Sequence, residues 1–237
     1  MNEQAGREQI PDELITAVVN LVGTGPVPLG AYTPAEICAV GGLIDFLEHD
    51  PSQEVIGEAV RSLAARDLIT TDAGEQHIEV RGDLGIALAF QQRTRVVLDA
   101  RRTGTEPDTP WRFLLMTQPE GVTLEVVIDT LGIHFFWLRK TDEALRRLLE
   151  QLPSGDPGPR DADLDAILAA SPHTALVTAT RWRDGGERES TDVILGGQDN
   201  QLHVFLRDPD QPERFVAQGI GGADLRSLLD GLITPRS

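Results

Sequence analysis

The sequence predicts an α+β fold: a duplicated α-β-β-β-β-α unit with pseudo-two-fold symmetry, an antiparallel sheet flanked by helices, and an N-terminal helical cap of winged-helix-like order. Three observations predict it. Residues 83–152 match residues 163–232 at a constant shift of 80, without a gap. Both copies hold runs rich in Val, Thr and Leu, with apolar residues alternating at period two. Both copies close on a leucine stripe of helical spacing.

The match carries 15 identities in 70 positions, where ordinary composition gives roughly 4 or 5 by chance. Seven open the unit: Asp83/Asp163, Leu84/Leu164, Leu88/Leu168, Ala89/Ala169, Thr94/Thr174, Val97/Val177 and Arg101/Arg181. Three lie in its middle: Leu115/Leu195, Gln118/Gln198 and Phe135/Phe215. Five end it: Leu145/Leu225, Arg146/Arg226, Leu148/Leu228, Leu149/Leu229 and Leu152/Leu232. The domain plan is therefore a helical cap with a hairpin at 1–82, a first repeat at 83–152, a Pro/Gly linker at 153–162 and a second repeat at 163–237.

Each repeat opens on a short helix, Leu84 to Gln91 and Leu164 to Ala170. A strand follows, Thr94 to Arg101 and Thr174 to Trp182, built of residues that suit a pleated surface. After a polar loop comes a hairpin. Its strands are Trp111 to Thr117 with Val122 to Ile128 in one copy, and Thr191 to Leu195 with Gln201 to Leu206 in the other. Pro119-Glu120-Gly121 and Gln198-Asp199-Asn200 supply the reversals. Val122, Leu124, Val126 and Ile128 share one face, as do Leu202, Val204 and Leu206. A fourth strand runs Ile133 to Arg139 and Arg214 to Gln218. In the closing helices Leu145, Leu148, Leu149 and Leu152, and their matches 80 residues on, fall on one face. Thr141 is placed to cap the first of these.

Before residue 70 three helices are signalled. Pro11-Asp12-Glu13 opens one. Thr33-Pro34-Ala35-Glu36 is a capping box leading to Ile37, Val40, Leu43, Ile44 and Leu47. Asp50-Pro51-Ser52-Gln53 opens the third. A hairpin, Leu68 to Thr71 and Gln76 to Val80, completes the order of a winged helix. The third helix offers Gln53, Glu54, Glu58, Arg61 and Arg66, a poor set for reading a major groove.

Charge excludes several functions. With 38 acidic and 21 basic residues, the net charge of −17 disfavours nucleic acid and anionic membranes. One cysteine, Cys38, permits no internal disulfide and reads as a structural residue of the second helix. Without a secretory signal or a membrane-length apolar run, the expected location is the cytoplasm. The five histidines show no ligand spacing, no serine stands in a nucleophile motif, and the acidic clusters read as solvated loops. No enzyme, cofactor or metal is expected. Trp111 and Trp182, at strand ends that flank the two long polar loops, are candidate interface anchors, since tryptophan is enriched at binding hot spots.

The N-terminal helices through Val60-Arg61-Ser62-Leu63-Ala64-Ala65-Arg66-Asp67-Leu68-Ile69, the unit from Thr94 to Leu152, the Pro-Gly linker and the repeat to Leu232 together resemble the EspG family of chaperones for type VII (ESX) secretion. The resemblance is one of architecture and diffuse pattern, and the chain is somewhat short for the family. It implies a non-enzymatic cytosolic chaperone or adaptor that binds the tip of a helical substrate, PE–PPE-like or of the small Trp-X-Gly type. It also implies a monomer or loose homodimer, with the loop Arg102 to Trp111 and its counterpart Trp182 to Thr191 facing the partner and Arg102, Trp111, Arg112, Trp182 and Arg183 binding it. The alternative is an accessory regulator that uses the winged-helix-like region on a protein or nucleic acid.

Overall fold

The computed structural model describes residues 11–47, 50–71, 78–104, 109–183 and 187–234. In chain order the N-terminal part holds α1 (Asp12–Thr24), β1 (Val27–Tyr32), α2 (Pro34–Ala39), a 3-10 turn at Ile44–Phe46, α3 (Gln53–Ala65), β2 (Ile69–Thr71) and β3 (Ile78–Val80). Next come α4 (Gly82–Arg93), β4 (Val96–Thr103), β5 (Arg112–Thr117), β6 (Val122–Ile128), β7 (His134–Lys140) and α5 (Thr141–Leu149). The last part holds β8 (Asp156–Pro157), α6 (Leu164–Ala170), β9 (His173–Trp182), β10 (Arg188–Gln198), β11 (Gln201–Arg207), β12 (Phe215–Ala217) and α7 (Gly222–Ile233).

One ten-stranded sheet runs β1-β7-β6-β5-β4-β9-β10-β11-β12, with β8 added beside β11. Its ladders are antiparallel except the short β8–β11 pair. The first strand of each expected repeat, β4 and β9, pairs at the centre, Leu98 opposite Ala179 and Asp99 opposite Thr178. From that pair β5, β6 and β7 run outward on one side and β10, β11 and β12 on the other, with β1 added beyond β7. Each face carries its own apolar cluster. One holds Leu114, Met116, Leu124, Val126, Phe136 and Leu138 with residues of α1, α3 and α4. The other holds Phe113, Leu115, Val177, Val193 and Leu202 with the leucines of α5 and α7.

Most of the expected elements form, and their local chemistry is visible. Thr33 and Glu36 make the capping box, and Ser52 accepts the Val55 N–H at 3.4 Å. Asp199 and Asn200 both take positive φ, 49° and 62°, so a two-residue turn of the kind that matches strand twist joins β10 to β11. The leucine stripes pack as read, with Leu145, Leu148, Leu225, Leu229 and Leu232 buried. The apolar faces of the hairpins also hold, since Val122, Leu124, Val126 and Ile128 lie in one cluster.

Several expectations change. The second helix does not run to Leu47. It stops at Ala39, and the chain turns through Gly41 and Leu43, both at positive φ, before the 3-10 turn. The segment Val27–Tyr32, punctuated by Pro28 and Gly30, is a strand that joins the main sheet beside β7, so the cap is tied to the sheet by a ladder. Thr141 is no N-cap. Lys140 holds that position, and the Thr141 hydroxyl accepts from Thr123 at 3.0 Å. Within 153–162 the chain is a packed strap: β8 pairs with β11, and the His203 ring lies against Gly158. Cys38 is half-buried. The hairpin turn at 72–74 lies outside the described residues.

The shift of 80 also fails in two places. Val97 lies in the first cluster and its match Val177 in the second. Likewise Val122 and Leu124 lie in the first cluster while Leu202 and Val204 lie in the second. Strand side chains alternate, so an even shift that lands on the other face is out of phase in β4 against β9 and in β6 against β11.

Candidate functional site

A cleft of about 950 Å³ opens at one end of the sheet, between the start of α5 and the end of α7. Its apolar floor comes from Val96, Ala179, Leu232 and Ile233, and its rim from Asp142, Arg183 and Glu189. Arg181, at the end of β9, donates to the Leu232 and Thr234 carbonyls at 2.6 and 2.8 Å. That places a cation on the last unsatisfied carbonyls of α7 and fixes one wall. The other wall is the first turn of α5, anchored by the Thr141 N–H donating to the Gly121 carbonyl at 2.9 Å.

Of the five residues selected from sequence, Trp182 and Arg183 line this cleft. Arg183 is exposed and pairs with Glu189 at 2.6 Å. Trp182 is half-buried, and its ring meets Phe46 edge-on, with centroids 6.3 Å apart. The other three lie at the opposite end of the sheet. β4 and β9 are antiparallel, so the loops that follow them leave from opposite ends. The expected joint surface of the two loops is therefore not assembled.

Arg112 is not a surface residue. It is 1 % exposed, and its guanidinium meets Asp99 twice at 2.8 Å and the Phe46 carbonyl at 2.7 Å. All its strong donors are used inside the fold. Trp111 packs half-buried against the first cluster, with the Arg112 guanidinium 6.0 Å from its ring centre. Arg102 donates to the Pro110 carbonyl at 2.8 Å and to Gln151 at 3.1 Å, and burial lowers its pKa. Residues 105–108 and 184–186 of the two loops lie outside the described residues.

Sequence reading missed Phe46, which touches both Arg112 and Trp182, and Asp99. Asp99 had a signal: a lone carboxylate between Leu98 and Ala100 needs a buried partner. Glu125, fully buried in β6, has the same logic, since Arg139 and Arg147 reach it at 2.6 and 3.3 Å.

The helix that would read nucleic acid has little cationic surface left. Arg61 pairs with Glu58 at 2.5 Å and Arg66 with Glu36 at 2.9 Å. Among the described residues no group of three or more His, Cys, Asp or Glu is placed to hold a metal. No helix among them is long and apolar enough to cross a membrane. No protein-family model and no curated protein matches the sequence.

Proposed function

We propose that the chain is a non-enzymatic chaperone or adaptor of EspG type, which holds the tip of a helical type VII secretion substrate. The observation that carries this reading is the open cleft between α5 and α7. Its apolar floor and charged rim match the anatomy of a protein-binding patch, with a dry centre and a polar border. The end of a helix brings apolar side chains and unsatisfied backbone groups together, and the cleft offers complements to both. Trp182 is the anchor at its edge, and the Arg183–Glu189 pair is the adjustable rim.

The architecture supports a duplicated ancestry for the two halves. Each runs outward from the central β4–β9 pair, and each ends in a helix on the same side of the sheet. The N-terminal order α1-β1-α2-α3-β2-β3 is winged-helix-like, with β1 captured by the main sheet.

The test is recovery of a defined complex. The chain is co-expressed with a PE–PPE pair or a Trp-X-Gly-type substrate from an ESX locus and purified. A stoichiometric complex is expected, weakened about tenfold or more by Arg183→Glu together with Trp182→Leu. Failure of every such substrate to co-purify refutes the reading.

A further inference from the structure

The opposite side of the sheet carries a second surface. α6 reads Leu164-Asp165-Ala166-Ile167-Leu168-Ala169-Ala170, and six of these seven residues are apolar. None of them is buried. A helix apolar on every side is ordinarily enclosed by protein. Ile167 turns inward over Gly196, where an added Cβ would stand 2.7 Å from its Cγ2. Leu168 is 36 % exposed, and Ala166, Ala169, Ala170 and Pro172 are exposed beside it.

The sheet extends the patch. Leu176, 37 % exposed, pairs directly with half-buried Ile194, which lies two residues from Gly196 on the same face of β10. These residues alternate with Ala175, Val177, Val193 and Leu195 of the second cluster, so they face away from α5, α7 and the cleft floor. The same side of the first half is covered by α4, which buries Leu84, Ala87 and Phe90. Its counterpart on the second half, α6, is short and leaves Leu176 open.

Charge selects what fits here. Asp161, Asp163 and Asp165 are all exposed around the start of α6, and none is in an ion pair among the described residues. Of the cations near the patch, Arg160 has its chain folded against Gly219, Arg101 opposite Leu176 is paired with Asp99, and Arg207 is paired with Asp192, two residues from Ile194. A second copy would bring a net charge of −17 and the same acidic rim against this one. An anionic bilayer is repelled for the same reason. We propose that α6, with Leu176 and Ile194, is a docking face for an amphipathic helix of a partner protein whose apolar stripe is flanked by arginine or lysine. The proposal stands on this surface alone and does not depend on the cleft or on a secretion role.

Two synthetic helical peptides test it, each with leucines at i, i+3, i+4 and i+7. One is flanked by arginines and its twin by glutamates. Titration calorimetry with the full chain gives affinity, and backbone amide NMR shifts give location. The basic peptide is expected to bind with shifts centred on α6 and β9–β10, at least about tenfold tighter than the acidic twin. Leu168→Asp and Leu176→Asp change exposed positions, so the chain stays folded, and each is expected to weaken binding about tenfold. Asp161→Asn with Asp165→Asn should remove most of the salt dependence and the preference for the basic peptide. The proposal is overturned if neither peptide binds, if the twin binds as well, or if both aspartate variants of the leucines keep wild-type affinity. It is also overturned if the patch drives dimerisation in sedimentation or binding to lipid vesicles. An intact α6 result beside a failed substrate co-purification would separate this surface from the function proposed for the cleft.

Discussion

Replacing Arg112 with methionine should be among the most damaging single changes in this chain. The side chain is 1 % exposed, and it makes two 2.8 Å bonds to Asp99 and one of 2.7 Å to the Phe46 carbonyl. Methionine fills much of the space but leaves a buried carboxylate and a carbonyl without their donor. Arg101 remains, at 3.2 and 3.3 Å from one Asp99 oxygen, but its side chain is half exposed and supplies only part of the lost field. Breaking one side of a buried pair costs about 3–5 kcal/mol. For a chain of this length that lowers the melting temperature by roughly 6–20 °C. Urea unfolding followed by far-UV circular dichroism and tryptophan fluorescence gives the number. Trp182 touches Phe46, so its emission should report the loosened contact with the cap first. The control is Arg112→Met with Asp99→Leu, which removes both charges. Because the desolvation penalty disappears with the pair, the double variant should recover most of the loss. If Arg112→Met costs less than about 1 kcal/mol, or the double variant is no better than the single, the ion pair is not what fastens cap to sheet.

The other expectations are narrower. Tyr32 is the only tyrosine, and burial pushes its phenol up to about 12, partly offset by Arg66. Near-UV titration should show no phenolate at pH 10, and the stability held by the neutral phenol should be complete below that pH and fade as pH rises through about 12; a titration centred near 10 refutes the burial. Burial also lowers the pKa of His134, with the nearby Arg112 charge acting in the same direction. The unfolded chain therefore binds a proton that the folded chain resists, so stability should fall as pH drops below about 6.5, and His134→Gln should flatten that slope. Gly155→Ala should cost at least about 2 kcal/mol more than Gly121→Ala in denaturant midpoints. Both glycines have positive φ, but only at Gly155 does the new Cβ meet backbone, 2.3 Å from the Asn200 carbonyl oxygen.

Which parts of this fold are legible in sequence follows from which constraints are local. The closing helices were legible because one leucine stripe needs one face, and Leu145 and Leu225 both find it. The hairpins were legible because period two survives wherever a face is covered, as in Val122 through Ile128. β1 was not, because Pro28 and Gly30 punctuate an edge strand as they would a turn. Its identity comes from β7, more than 100 residues away in the chain, and no local pattern carries that pairing. The early end of α2 was missed for a related reason: Leu43, Phe46 and their neighbours keep an apolar pattern of helical appearance although the chain reverses through Gly41.

The site was less legible because a residue's type does not state which way it faces. Trp111, Arg112, Trp182 and Arg183 all border polar loops, yet strand parity sends Arg112 inward to Asp99 and leaves Arg183 on the rim of the cleft. The same parity rule explains why the 80-residue match stays in phase in the closing helices but slips in β4 against β9 and in β6 against β11, where Val97 and Leu124 face one side and Val177 and Val204 the other. An even shift fixes which residues match but not which face each strand turns inward, since every strand enters the sheet from its own loop. Once the two halves are aligned by pairing rather than by identity, their difference becomes functional. The first half's open side is closed by α1 to α4 of its own chain. Among the described residues the second half has the strap and α6 on that side, and the apolar residues left exposed there, Leu168 and Leu176, mark where a helix from elsewhere would complete the layer.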